Sequence, residues 1–203
     1  MCGFAGFLTD SPSFSSPESI LSAMGDAIHS RGPDSQGQFF DLKTGIGLSF
    51  KRLSILDLSE AGSQPMESIS GRYVITFNGE IYNHLDLREE IEEKSFSKIS
   101  WNGHSDTETL LALIELYGVE ETLKKCKGMF AIALWDKKEE ILTLARDRFG
   151  EKPLYYGWVN KSLIFGSQIK AFKKFPSFEG KIDKKIIPIY MKFNYIPAPL
   201  CIY

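Results

Sequence analysis

Cysteine is scarce in this chain, occurring only at positions 2, 126 and 201 of 203 residues. That is too few and too scattered for a disulfide scaffold, and it fits a reducing compartment. Histidine is equally scarce: His29, His84 and His104 stand far apart. No HxH, HxxxH or CxxC spacing occurs, so no metal-ligand pattern is expected. Nor is there a GxxxxGK[ST] or GxGxxG loop to cradle a nucleotide phosphate. No apolar run approaches the roughly 18 residues of a membrane span. The N-terminus lacks the basic stretch and long apolar core of a signal peptide. Lysine and arginine (24) nearly balance aspartate and glutamate (26). They form no stripe that would hold a nucleic acid. The expected setting is the cytoplasm, with neither membrane nor nucleic acid as partner.

What the chain does have is apolar residues, 43% of the total, with 17 glycines and 15 phenylalanines. That is enough for a sizeable core. Residues 2–8 (CGFAGFL) predict a strand. Ser15 or Ser16 can cap a helix with Pro17 in its first turn. Ile20, Leu21, Met24, Ala27 and Ile28 share its apolar face, and Gly32-Pro33 stops it. Short strands broken by Gly45 and Gly47 follow over 37–58. RYVITFN, at 72–78, alternates as a strand and runs into Asn78-Gly79, a turn signal. Helices are expected at 84–94 and 105–117, the second with a Ser105/Glu108 capping box. Two hairpins close the pattern: GMFAIALWD with EEILTLARD, turning at Asp136, Lys137 and Lys138, and PLYYGWV with SLIFGS. Many short strands and few helices between them favour an antiparallel α+β protein over βαβ units. In the tail, Pro188, Pro197 and Pro199 disfavour a regular helix.

Several residues carry possible chemistry. Cys2 directly follows the initiator methionine. Removing Met1 would give it a free α-amine, whose ordinary pKa of about 7.7 lies below that of a thiol near 8.5. The amine can then accept the thiol proton, pairing a nucleophile with its own base. For a lone cysteine the plain alternative is a buried structural thiol. Asn78-Gly79 offers a side-chain NH₂ and a backbone N–H to a developing oxyanion, or it is simply a hairpin turn. Arg52 has the planar fork that suits a carboxylate. Asp106 either binds a cation or merely sits well at a helix N-terminus. Glu80 is either a second anion or plain surface. One cation and one or two anions could together clamp the zwitterionic head of an amino acid.

Eight ordered blocks then carry a resemblance. They are MCGFAGF, HSRGPDSQG, KRLSILDLS, FNGEIYNH, HSDTETLL, GMFAIALWD, ARDRFGEKPLYY and FGSQIKAF. The chain resembles the glutaminase domain of the glutamine-hydrolysing asparagine synthetase family. That is a class II glutamine amidotransferase domain with the N-terminal nucleophile hydrolase fold. The resemblance implies a four-layer αββα sandwich of two antiparallel sheets between helical layers. It implies Cys2 as nucleophile toward the glutamine side-chain amide, and Asn78 and Gly79 as oxyanion hole. It puts Arg52 on the substrate α-carboxylate, and Glu80 and Asp106 on its α-amine. The reaction implied needs no metal or organic cofactor in this domain.

The same resemblance divides the chain into an amidotransferase domain, 1–187, and a stretch, 188–203, that begins a linker. Beyond it would lie an ATP- and Mg-dependent synthetase domain in the same full-length chain, with room for a homodimer. The sequence departs from the family at two places: Phe50 replaces a common histidine two residues before the arginine, and Gln168 replaces a glutamate. The block WNGHSDTE also resembles amidotransferases of bacterial surface-sugar pathways, so the ammonia acceptor is aspartate or such a sugar. A reading from another class is a non-catalytic scaffold that docks a synthetase partner.

Overall fold

A computed structural model describes residues 1–10, 16–55, 57–94 and 100–203. The first half runs β1 (Gly3–Thr9), α1 (Pro17–Asp26), β2 (Ser35–Asp41), β3 (Ile46–Arg52), β4 (Met66–Glu67), β5 (Tyr73–Ile81) and α2 (His84–Lys94). The second runs α3 (Asp106–Lys125), β6 (Gly128–Asp136), β7 (Ile141–Arg146), β8 (Tyr155–Val159), β9 (Ser162–Gly166) and α4 (Ile187–Phe193). Short 3₁₀ turns fill His29–Arg31, Glu60–Gly62 and Ile169–Lys174.

The strands form two antiparallel sheets, ordered β2-β3-β1-β9-β8 and β4-β5-β6-β7. Side chains alternate across a strand, and three apolar layers follow from that. Between the sheets, Phe4, Ile46, Leu48, Phe50 and Phe165 meet Val74, Ala131, Ala133 and Trp135. On the outer face of the first sheet, Ala5, Phe7 and Ile164 meet Leu21 and Met24 of α1, together with Phe172 and Phe175. On the outer face of the second, Ile75, Phe77 and Ile132 meet Leu87 and Ile91 of α2 and Leu110 and Ile114 of α3. The result is the αββα sandwich.

Three local expectations need correction. Asn78-Gly79 is not a turn: β5 runs through it, with Asn78 opposite Ala131 and Gly79 opposite Phe130. A Cβ on Gly79 would lie 2.3 Å from the Met129 carbonyl oxygen. The glycine therefore serves close strand approach rather than chain reversal. Gly47 likewise stays inside β3, opposite Phe7, and only Gly45 lies in the turn. The prolyl tail does form one helix, α4, because Pro188 falls in its first turn, where a missing N–H costs nothing.

Smaller shifts have clear causes. The β6–β7 turn takes 137–140, while Asp136 stays in its strand and pairs with Arg72 at 2.6 Å. Ser105 caps α3 through the Glu108 N–H at 3.3 Å. Glu108 instead accepts from the Asn102 and Gly103 N–H groups, so only half of the capping box forms. α3 extends eight residues past the expected end at 117, kinking at Gly118, where φ is +78°. Ser16 precedes α1, but its hydroxyl bonds that of Ser19 rather than a backbone N–H. The alternative cap, Ser15, lies outside the described residues.

Phe50 is fully buried between the sheets and stands opposite Phe4 across the β1–β3 ladder. The departure from histidine thus adds apolar filling behind Arg52 and leaves the strand register intact. Phe50→Ala is expected to cost about 3–5 kcal/mol, read as a lowered midpoint in chemical denaturation. A loss below about 1 kcal/mol would contradict this packing.

Candidate active site

The alternation that buries Phe4 and Phe50 also aims the residues two positions away. Cys2 precedes Phe4 on β1, and Arg52 follows Phe50 on β3. β1 and β3 run side by side with Gly3 opposite Lys51, so Cys2 and Arg52 arrive at one end of the gap between the sheets. Asn78 shares the face of Val74 on β5 and reaches the same end from the opposite sheet. There the apolar filling gives way to a cleft of about 200 Å³. Its wall includes all six of the residues singled out from the sequence: Cys2, Arg52, Asn78, Gly79, Glu80 and Asp106.

The edge of β5 supplies the second ingredient. β4 is only two residues long and pairs with Val74 and Ile75 alone, so among the described residues no strand pairs with β5 on that side from Phe77 onward. Tyr82 donates to the Lys127 carbonyl on the β6 side, which puts the odd-numbered N–H groups on the open edge. The Phe77 N–H is taken by Gln64 Oε1 at 2.6 Å, and that of Ile81 by Asp106 Oδ2 at 2.9 Å. The Gly79 N–H faces the cleft between them. Across the ladder, the Phe130 N–H and C=O are both engaged by Asp147, which leaves Gly79 free of them. The Asn78 side-chain Nδ2 is buried and has no hydrogen-bond partner among the described residues. A buried amide without an acceptor is unusual, and here it lies in the cleft wall.

Cys2 is partly buried. Its Sγ accepts from the Leu53 N–H at 3.3 Å and lies 3.4 Å from the Leu53 carbonyl. Arg31 Nε holds the Cys2 carbonyl at 2.9 Å. Burial lowers the Arg31 guanidinium from its ordinary value, against the pull of Cys2. While Met1 precedes it the Cys2 nitrogen is an amide, and removal of Met1 would make it an amine.

Arg52 is buried, and its fork is fixed by the Ser59 carbonyl at 2.8 Å and the Asp57 carbonyl. Asp57 in turn ties that loop to the α3 approach. It accepts from the Ser59 hydroxyl at 2.6 Å, the Ser59 N–H at 2.8 Å and the His104 N–H at 3.0 Å. The Ser59 hydroxyl, the His104 N–H and more weakly Arg52 hold its carboxyl down to about 2. Asp106, in the first turn of α3, behaves oppositely. Burial pushes its carboxyl up, and the Ile81 N–H only partly restores it. Glu80 is less buried and adds a second negative charge to this wall.

Asp57, Gln64 and Lys152 also line the cleft and were not singled out from the sequence. Asp57 and Lys152 stand inside two of the resembling blocks, but neither has a local pattern of its own. Gln64 has no sequence signal at all. Its role emerges only because it meets Phe77 and, through Nε2, the Thr107 hydroxyl at 3.2 Å. Gln168, the second family departure, ends with its Oε1 buried and without a partner among the described residues. Among the described residues, no group of three or more His, Cys, Asp or Glu side chains is arranged to hold a metal ion. No described helix is long and apolar enough to cross a membrane.

A sandwich of two antiparallel sheets, opening at the head of its first strand onto a cysteine, places the chain among the N-terminal nucleophile hydrolase folds. Two solved structures share the fold. One is the glutamine phosphoribosylpyrophosphate amidotransferase from B. subtilis complexed with ADP and GMP (TM-score 0.67, 20% identity, 85% of this chain and 43% of that one). The other is an allosteric regulatory enzyme of purine biosynthesis (TM-score 0.68, 19% identity, 85% and 43%). More particularly, the chain belongs to the glutamine amidotransferase domain family, whose sequence model matches residues 1–203. It is 42% identical to asparagine synthetase [glutamine-hydrolyzing] 1 of Bacillus subtilis, covering 98% of this chain and 30% of that protein. It is 34% identical to a putative asparagine synthetase [glutamine-hydrolyzing] 2 of Methanocaldococcus jannaschii, covering all of this chain and 41% of that protein. The chain thus spans less than half the length of either relative.

The depressed carboxyl of Asp57 has a consequence for stability. Its folded value lies below the ordinary 3.8, so its contribution is complete above about pH 4 and is lost as pH falls toward 2. Asp57→Asn should remove on the order of 1–2 kcal/mol at pH 7. The difference from the parent should shrink toward pH 2 in denaturation curves. A pH-independent gap would argue against it.

Proposed function

We propose that the chain hydrolyses L-glutamine to glutamate and ammonia through a γ-glutamyl thioester on Cys2. The observation that carries this reading is one cleft holding the Cys2 thiol beside two unaccepted donors, Asn78 Nδ2 and the Gly79 N–H. Donors preset for an oxyanion need no reorganisation when charge develops. The freed α-amine of Cys2 takes the thiol proton, and sulfur bonds to the amide carbon. The C=O electron pair moves onto oxygen, held by Asn78 and Gly79. The amine passes its proton to the departing nitrogen, which leaves as ammonia. Water, deprotonated by the same amine, then attacks the thioester, and glutamate leaves as sulfur regains its proton.

The remaining residues fit the head of an amino acid. Arg52, held rigid by two carbonyls, presents its charge to the α-carboxylate. Asp106 is a buried carboxylate with little compensation, and ionising it there opposes folding. A substrate ammonium beside it and Glu80 would offset that cost. In this reading the domain requires no cofactor.

The relatives are glutamine-hydrolysing asparagine synthetases and are much longer than this chain. We therefore read the ammonia as destined for a C-terminal synthetase domain that amidates aspartate with ATP and Mg. Residues 188–203 begin the connection, and a homodimer and a cytoplasmic setting complete the reading. An assay of the full chain with aspartate, ATP and glutamine separates aspartate from a sugar acceptor.

Cys2→Ala is expected to abolish ammonia and glutamate release from glutamine, and a glutamine-analogue electrophile should add its mass at Cys2. Parental activity in that variant would leave only the scaffold reading. Asn78→Ala should lower kcat about 10²–10³-fold with little change in KM, measured by glutamate release. Protein that retains Met1, identified by intact mass, should be inactive.

A further inference from the structure

Lys152 is a buried cation that the mechanism above leaves unused. Only 6% of its surface is exposed, and it lines the cleft with Cys2, Asn78 and Gly79. Its Nζ meets the Met1 Sδ at 3.5 Å, and it belongs to none of the ion pairs among the described residues. A buried charge is costly without a partner, and a thioether is a weak one.

The backbone holds this lysine in place with some force. Asp147 Oδ1 accepts from the Phe149 and Glu151 N–H groups at 3.1 and 2.9 Å. Its Oδ2 accepts from the Lys152 and Phe130 N–H groups at 3.0 and 3.2 Å. Arg146 Nε binds the Lys152 carbonyl at 2.6 Å. One carboxylate therefore locks the loop carrying Lys152 to the β6 residue that stands opposite Gly79.

Met1 is the residue joined to the Cys2 nitrogen, and its side chain is what the ammonium touches. Once Met1 is cleaved, that nitrogen becomes an amine in the cleft that Lys152 also lines. We propose that Lys152 is a positioning residue: its fixed charge disfavours protonation of the Cys2 α-amine, keeping it an uncharged base at neutral pH. The inference deepens the glutaminase reading and rests on it for its purpose. Like charges in a poorly solvated site oppose each other strongly. The other charged groups around the cleft are Arg31 on the Cys2 carbonyl, Arg52 and Asp57 after β3, Glu80 on β5 and Asp106 on α3. His84 lies beyond Asp106. Glu80 and Asp106 favour the protonated amine, but they also await the substrate ammonium. Asp57 is turned to Ser59 and His104. Lys152 is the cation whose side chain touches Met1, while Arg31 holds the Cys2 carbonyl.

The test uses Met1-free full chain. In a Cys2→Ser background, trace acetic anhydride labelling reads the titration of the terminal amine without turnover or thiol interference. Adding Lys152→Met should raise the labelling midpoint by about one pH unit, while Lys152→Arg should keep it low. With Cys2 intact, the acidic limb of glutaminase kcat/KM should move upward by the same amount in Lys152→Met. An unmoved midpoint overturns the inference. So does a raised KM for glutamine with an unmoved midpoint, which would put the ammonium on the substrate. A moved midpoint in a protein whose Cys2 form releases no ammonia supports the inference and removes the glutaminase reading alone.

Discussion

Everything in this site depends on strand parity at the gap between the two sheets. Phe4 and Phe50 must face inward to fill that gap, and both are fully buried. Cys2, just before β1, and Arg52, the last residue of β3, lie two residues beyond them, so extended backbone turns them inward as well. A slip of one residue in either strand would turn these polar groups to the outer face and expose the phenylalanines. Apolar packing thus sets the register, and the register delivers the chemistry. The bond from the Leu53 N–H to the Cys2 sulfur lies just past the last pair of the β1–β3 ladder.

The opposite wall follows from a shortage of pairing. A strand edge carries N–H groups that must find acceptors when buried. Because β4 stops at Glu67, the edge of β5 beyond Ile75 has no neighbouring strand among the described residues. Gln64 and Asp106 serve two of its N–H groups from elsewhere in the fold. Gly79 lies between them, and the neighbouring Asn78 amide is unpartnered too. An incomplete sheet is therefore what leaves donors facing the cleft. The charged groups follow a similar logic. Asp57 is held by bonds from Ser59 and from the distant His104 and acts as a brace for Arg52. Asp106 and Lys152 have fewer partners among the described residues, and both line the cleft.

Much of the site is legible in the amino-acid sequence. MCGF at the start, RLSI, NGE and SDTE each carry a residue that the cleft gathers, and the ordered blocks tie them to one family. The helices at 84–94 and 105–117 and both hairpins are visible because their apolar periodicities are regular. The expectations that fail share a cause. Asn-Gly is a turn signal only when nothing nearby pairs with it, and β6 runs alongside at a spacing that needs a residue without Cβ. Pro188 breaks a helix interior but not a first turn, and which of these it meets depends on where the helix starts. Gln64, Asp57 and Lys152 escape notice in the sequence because each works through a partner distant in the chain.

The sequence by itself determined the chemical inventory: one cysteine placed to gain its own amine, an arginine, two carboxylates, an Asn-Gly pair, and alternating apolar runs that demand two-sided sheets. Those follow from residue type and local spacing. Only the tertiary structure decided that the inventory meets in one cleft. It also decided that Asn78-Gly79 presents donors from a strand edge instead of reversing the chain, and that Lys152 stands beside Met1. These are matters of long-range pairing and burial. A residue cannot reveal which edge lacks a neighbour or which charge lacks a partner until the sheets have packed against each other.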